Sequence, residues 1–320
     1  MSKSFGIIGV AGFIAPRHLQ AIKQNACELR CAMDLRDCAG ILDSYFPQAD
    51  FFVEPERFDR YLDKLKRNHT PLDYISICSP NYLHDSHIRL ALRNQSNAIC
   101  EKPIVLNPWN LDALESLEEE TQKHIYTILQ LRLHPSIIAL KKQIQQDSQN
   151  NPHQIYEIDL SYITARGKWY HISWKGDESK SGGIATNIGI HFFDMLIWIF
   201  GTPKISIVHH LDEKNASGYL ELASAKIRWF LSIDENLLPP SLHENEKKRV
   251  FRSLTLNQQE FNFSEGFTDL HTKSYEEILS GRGFRCRESR AAIELVHQIR
   301  NATPIGLKGD YHPFNQRLGL

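Results

Sequence analysis

The chain has 320 residues, 42% hydrophobic and 23% charged, which suits two globular domains. A formal net charge of -1 supplies no basic field for nucleic acid or an anionic membrane surface. The start shows no signal-peptide pattern, and the most apolar window, around Phe192 to Phe200, holds Asp194 and falls short of the ~20 residues of a membrane span, so a cytoplasmic protein is expected.

The first half alternates short apolar runs with amphipathic segments. Strands are predicted over 5–9, 28–34, 50–53, 72–78, 97–100 and 124–129. Helices are predicted over 16–25, 36–45, 55–67, 84–93 and 108–121. Such alternation implies a doubly wound parallel sheet covered on both faces. After Leu131 the pattern changes to a helix over 134–146, a long strand over 154–164, a loop, and an apolar helix opening at Gly182-Gly183 and stopping at Gly201. Strands follow over 205–210, 219–222, 225–233, 250–256 and 260–263, then helices over 269–279 and 288–301. Successive strands without helices predict an open, mainly antiparallel sheet. The fold class is therefore α/β, divided into 1–130 and 131–320. The stretch 234–248, rich in Pro, Glu and Lys, reads as the mobile loop. Six scattered cysteines without a CxxC pair read as reduced thiols, and no metal is expected.

Four stretches carry chemistry. Gly9-Val10-Ala11-Gly12-Phe13-Ile14 lies between the first strand and the first helix, a variant of the dinucleotide fingerprint with Ala11 at a usual glycine position. Its glycines suit a tight turn against a pyrophosphate at a helix N-terminus. Asp34 ends the second strand, where a carboxylate suits the ribose hydroxyls of NAD and repels a 2′-phosphate. Ser79-Pro80-Asn81-Tyr82-Leu83-His84 follows the fourth strand, placing Ser79, Asn81 and His84 near the nicotinamide ribose, or simply starting a helix. Glu101-Lys102-Pro103 ends the fifth strand, facing the cofactor, and burial would lower the lysine's pKa toward proton transfer. In the apolar helix, Asn187, His191 and Asp194 at i, i+4 and i+7 form one polar stripe.

Together, the modified fingerprint, Ser-Pro-Asn-x-x-His, Glu-Lys-Pro and Gly-Gly-x-x-x-Asn-x-Gly-x-His-x-x-Asp resemble the glucose–fructose oxidoreductase / inositol dehydrogenase (Gfo/Idh/MocA) family over essentially the whole chain. Residues 9–18, 128–132, 162–170, 173–177 and 264–271 resemble the branch of UDP-N-acetyl-2-amino-2-deoxyglucuronate 3-dehydrogenases of O-antigen synthesis. The resemblance implies an N-terminal Rossmann domain, a C-terminal domain that binds substrate and builds an oligomer (a tetramer), and NAD as cofactor. It implies oxidation of the sugar 3-hydroxyl to a ketone for a partner aminotransferase, with 2-oxoglutarate reoxidising NADH. Lys102 corresponds to the family's lysine and His191 to its helix histidine. The wider family has Asp where this chain and its branch have Asn187.

On that reading Lys102, His191 and Asn187 are catalytic, with the base open between His191 and a neutral Lys102. Gly9, Gly12, Phe13, Ile14, Asp34, Ser79, Asn81, His84, Glu101, Lys102, Gln130 and Trp174 are expected at the cofactor. Arg17, Arg166, Tyr170 and Lys175, with Lys102, Asn187 and His191, are expected at a UDP-uronate, whose phosphates and carboxylate need cations. Arg132 is expected beside Gln130, looking into the cleft, and Asp194 is left structural. The alternatives are oxidation of a free sugar or inositol, and an NAD-sensing protein without chemistry.

Overall fold

Apolar, mostly buried strands build the first sheet: β1 (Ser4–Ile8), β2 (Glu28–Met33), β3 (Asp50–Phe52), β4 (Tyr74–Ile77), β5 (Asn97–Cys100) and β6 (Ile125–Thr127). Their order is β3-β2-β1-β4-β5-β6, and every pair is parallel. The chain starts in the middle, moves outward to β3, and crosses back to β4. The carboxyl ends of β1 and β4 thus lie at the switch point where doubly wound sheets bind ligands. This computed structural model describes residues 2–240, 249–263 and 269–318.

Between the strands run α1 (Ala15–Gln24), α2 (Gly40–Asp43), α3 (Pro55–Arg67), α4 (His84–Arg93) and α5 (Pro108–Thr121). Proline stands in the first turn of α1, α3 and α5, where no intrahelical N–H is needed. The helix predicted over 36–45 shrinks to α2. Asp34 Oδ1 accepts from the Arg36 N–H at 3.1 Å and Asp37 Oδ1 from the Ala39 N–H at 3.4 Å, local bonds that compete with a helix start.

The second sheet contains β7 (Tyr156–Thr164), β8 (Pro203–Leu211), β9 (Asn215–Leu222), β10 (Ala225–Ser232), β11 (Val250–Leu256) and β12 (Gln259–Glu260). The order is β12-β11-β7-β10-β9-β8, with β7 and β10 parallel and the other four pairs antiparallel. Residues 261–263, predicted as strand, lie outside it. α6 (Pro135–Asn150) precedes the sheet, and the predicted loop after β7 contains two short helices, α7 (Lys168–Ile172) and α8 (Glu178–Ser181). A π-helical turn, Ala185–Gly189, then leads into α9 (Ile190–Phe200). Phe193 on α9 packs edge-on against the buried Trp229 of β10 at 5.3 Å between ring centres. The continuous segment 178–200 reaches 23 residues, membrane length and apolar enough, which corrects the expectation that no such stretch exists. Its most apolar stretch is 72% buried inside the structure, the environment of a core helix.

Among the described residues, two helices follow, α10 (Leu270–Leu279) and α11 (Arg290–Arg300). The predicted start of α11 at 288 is a 3₁₀ turn, Cys286–Ser289. One compact unit comprises Met1–Gln130 with Thr268–Arg290, the other Leu131–Phe267 with Ala291–Leu320. The second half is therefore interrupted rather than continuous over 131–320. Tyr275 and Ile278 of α10 enter the same core as Phe5, Ile7, Leu19 and Ile99. Of the predicted mobile loop, 241–248 lie outside the described residues, as do 264–268 of the family-like motif. Residues 235–237 form a 3₁₀ turn capped by Asp234. All six cysteines are free thiols.

Candidate active site

The nucleotide unit builds its turn around Gly9. Its φ is +85°, and a Cβ there would lie 2.7 Å from the Cys78 carbonyl carbon and from the Ser79 nitrogen. Glycine alone lets β1 and β4 approach this closely at their carboxyl ends. A Cβ on Gly12 would press on the Gly9 and Cys78 carbonyl oxygens at 3.0 and 3.2 Å. Asp34, half-buried, closes the turn: its Oδ2 accepts from the Ala11 N–H at 2.9 Å. This glycine cradle with a carboxylate at the end of β2 fits a dinucleotide. Phe13 is fully in solvent, 89% exposed, whereas Ile14 packs on the unit's core. Arg17 is exposed on α1.

The β4 turn has Asn81 buried and Ser79 Oγ at 2.8 Å from His87 Nδ1. His84 departs from the expected ligand role. It is 1% exposed, with Nδ1 at 2.7 Å from the Pro103 carbonyl and Nε2 at 2.8 Å from the Ser79 carbonyl. Burial pushes its pKa below the ordinary histidine value against the pull of those two bonds. The ring ties the β4 turn to the Lys102–Pro103 turn, which contains a cis peptide, and offers no nitrogen to a ligand.

Lys102 is half-buried at the end of β5. Glu101 beside it is also not placed as expected. Its carboxylate turns inward, where Oε1 accepts from His18 Nε2 and from His271 Nε2, each at 2.9 Å. Gln130 is half-buried, and its Oε1 has no hydrogen-bond partner among the described residues.

In the second unit, the π turn widens the helix just where the polar stripe was expected. Asn187 and His191 are half-buried, but Asp194 is 3% exposed and leaves the stripe. Its carboxylate takes two bonds from Arg132, Nε to Oδ2 at 2.9 Å and Nη2 to Oδ1 at 2.6 Å. Arg132, expected beside Gln130 and looking into the cleft, is instead buried and bonded to Asp194. The charge pairing of residues 62 positions apart carries no local sequence signal, so pattern reading missed it. Asn187 Nδ2 donates to the Tyr170 hydroxyl at 3.0 Å. Tyr170 is buried, and burial raises its pKa, so it stays a phenol.

Lys175 is half-buried between two indoles, with Nζ 5.1 Å from the Trp169 ring centre and 5.6 Å from that of Trp174. Burial, and then the nearby positive charge of Arg166, lower its pKa. A lysine beside two aromatic faces, with a second positive charge near enough to lower its pKa, describes a place where an anion is welcome. Lys175 and Glu178 also line a cavity of about 290 Å³ with Gly182, Gly183 and Arg300. Arg166 itself is exposed.

A family model described as the oxidoreductase family, NAD-binding Rossmann fold, matches residues 3–128, and its C-terminal alpha/beta domain matches 141–235. The WlbA (WbpB) dehydrogenase from Thermus thermophilus, solved in complex with NAD and alpha-ketoglutarate, is 46% identical, with a TM-score of 0.93 over 98% of this chain and 99% of that one. A structure of the WlbA (WbpB) dehydrogenase from Thermus thermophilus with NAD and UDP-GlcNAcA gives 45% identity and a TM-score of 0.92 over the same shares. Inositol 2-dehydrogenase of Rhizobium meliloti (strain 1021) is 26% identical over 216 residues, 65% of this chain and 58% of that enzyme. The chain thus spans little more than half the length of that curated relative. With both family domains matched in order on the two sheets described above, the chain belongs to the Gfo/Idh/MocA oxidoreductase family and is an NAD-dependent enzyme.

Proposed function

We propose that this enzyme oxidises the 3-hydroxyl of UDP-N-acetylglucosaminuronate to the 3-keto sugar nucleotide. The observation that carries the reading is 46% identity across nearly the full length of a dehydrogenase solved with NAD, together with that dehydrogenase's complex with UDP-GlcNAcA. Bound NAD would supply the hydride acceptor, and 2-oxoglutarate, reduced to 2-hydroxyglutarate, would regenerate it. Gly9, Gly12 and Asp34 hold the dinucleotide, with Asn81, Lys102, Gln130 and Trp174 near its nicotinamide end.

Lys102 and His191 handle the hydroxyl proton. An ammonium cannot accept a proton, so a charged Lys102 orients the oxygen and His191 is the base; a neutral Lys102 exchanges the roles. Asn187, tethered to Tyr170, adds polar contact without a second charge. Lys175 and Arg166, with Arg17 from the nucleotide unit, meet the substrate's phosphates and carboxylate. The ketone product suits a downstream aminotransferase in O-antigen synthesis, and we place the reaction in the cytoplasm and in a homotetramer.

Incubation with NAD and UDP-N-acetylglucosaminuronate, with and without 2-oxoglutarate, tests this directly. NADH absorbance, or 2-hydroxyglutarate in the second arm, is expected. Neither product would end the enzyme reading for this sugar. The 26% identity to inositol 2-dehydrogenase motivates the competing substrate class, so turnover of myo-inositol under the same conditions is the comparison.

A further inference from the structure

Four side chains beyond the proposed chemistry form one buried chain with Glu101. Glu101 Oε1 accepts from His18 and His271, and its Oε2 accepts from the backbone N–H of Lys102 at 3.3 Å. His18 is fully buried on α1, the helix that begins just after the glycine turn. Its Nδ1 lies 2.8 Å from the Tyr275 hydroxyl, which lies 2.6 Å from Ser76 Oγ on β4. His271 and Tyr275 are one turn apart on α10. The turn before Lys102 is therefore held from the phosphate helix and from a segment that returns from far along the chain.

The proton positions follow. Burial holds His18 below the ordinary histidine value although Glu101 pulls the other way, so it is neutral with one N–H. Burial would raise Glu101, but the two histidine bonds outweigh it and keep the carboxyl well below its usual range. A carboxylate only accepts, so His18 Nε2 carries the proton, Nδ1 accepts from Tyr275, and Tyr275 accepts from Ser76. Burial raises Tyr275 well above a normal phenol, so its proton stays. Two titratable neighbours, Cys78 and Cys100, are held as thiols by burial and by Glu101.

We propose that His18 and His271 are positioning residues for Lys102, acting through Glu101: the two rings fix the carboxylate, and the carboxylate fixes the lysine's backbone. This rests on the proposed role of Lys102 at the substrate hydroxyl, as the base or as the ammonium that orients the oxygen. The donor atoms of His18, Glu101 and His271 all lie within 4.8 Å of one another, a spacing that a metal ion also accepts. Hydrogen bonds already fill it, since both rings aim an N–H at one oxygen.

The test uses the full chain and four variants: His271→Leu, His271→Gln, Tyr275→Phe and Lys102→Ala. His271→Leu is expected to lower kcat roughly ten- to hundredfold, the scale of a small misplacement at a reacting centre. Its NAD affinity and KM should stay near wild type. His271→Gln, which returns an N–H donor, should recover most of kcat. A folded His271→Leu with wild-type kcat overturns the proposal, as does equal loss in the Leu and Gln variants. If His271→Leu does not fold, Tyr275→Phe keeps the ring and removes only the hydroxyl that holds His18; a several-fold kcat loss is expected and unchanged kcat is fatal. Loss of activity to a chelator, restored by zinc, would reassign the cluster to a metal and also overturn it. Lys102→Ala separates the two ideas: if it turns over normally, the reading of Lys102 fails; if it is dead while His271→Leu is normal, only this inference fails.

Discussion

Arg132 and Asp194 face each other through two hydrogen bonds, 2.9 and 2.6 Å long, with both side chains about 5% exposed or less. Such a pair locks the residue just after the nucleotide half of the chain to the core helix α9. Removing one partner takes two charge-assisted bonds from a buried ion, and breaking a buried pair costs about 3–5 kcal/mol. Asp194→Asn should therefore lower the melting temperature strongly, while Arg132→Met with Asp194→Leu recovers much of it. Calorimetry decides. An Asp194→Asn enzyme with normal melting but lost turnover would move Asp194 into the chemistry.

Gly9→Ala combines a left-handed backbone with a clash. The φ of +85° alone costs a Cβ-bearing residue about 1–2 kcal/mol. The new Cβ would also meet backbone atoms of Cys78 and Ser79 at 2.7 Å, and backbone cannot swing aside. Expected are a lower melting temperature and NAD binding weakened by about tenfold or more, each tenfold being 1.4 kcal/mol. Fluorescence titration with NAD reads the second effect, and wild-type affinity would refute the cradle.

Asp34→Ala removes a carboxylate that holds the Ala11 N–H and that we assign to the ribose. Hydrogen bonds to charged groups are worth about 1.5–3 kcal/mol, so NAD affinity should fall roughly ten- to hundredfold. NADP, no longer repelled, should lose less or gain. Equal NAD affinity in mutant and wild type would show that the acid serves only the turn.

Lys175→Met separates stability from binding. Burial and Arg166 disfavour the charged lysine, so its loss should leave stability unchanged or higher. The KM for a UDP-uronate should rise by about tenfold or more, because a charge-assisted contact to phosphate or carboxylate is lost. A KM unmoved by the change, measured at low and high salt, would clear Lys175 from the substrate site.

Stability should decline in mild acid. His312 is buried, its Nδ1 accepts from the Phe314 N–H at 3.1 Å, and its Nε2 donates to Ser161 at 3.0 Å. Burial first, then Arg228 and Arg317, push its pKa down to about 3, from 6.5 when unfolded. Between those values the unfolded chain binds a proton that the fold refuses, so stability rises with pH. The contribution is full above pH 6.5 and is lost as pH falls toward 3. His18 acts with the same sign below 6.5, and Glu101 adds to it below 4.5. Urea unfolding across this range should show the slope, and His312→Gln should reduce it by up to about 1.4 kcal/mol per pH unit. An unchanged slope would mean that His312 is charged in the fold.

Much of the architecture was legible because its determinants are local. The bounds of α3, α4, α5, β5 and β11 coincide with those read from periodicity, proline starts and turn residues. The helix read over 36–45 failed because aspartate side chains captured the amides that would have opened it. The parallel neighbours β7 and β10 are far apart in sequence, and nothing in either strand announces the pairing.

By itself the sequence determined the two-sheet α/β class, the glycine turn at Gly9, and the acid at Asp34, since each depends on residue type within a few positions. It also singled out Lys102, Asn187 and His191, through motif order. Only the tertiary structure decided what the polar groups face. It put His84 between two carbonyls, turned Glu101 toward His18 and His271, paired Asp194 with Arg132, and returned α10 to the nucleotide unit. The reason is physical. Backbone preference and amphipathic period act within a turn or a strand, whereas a buried charge takes whichever donor the fold brings within ~3 Å, at any distance along the chain.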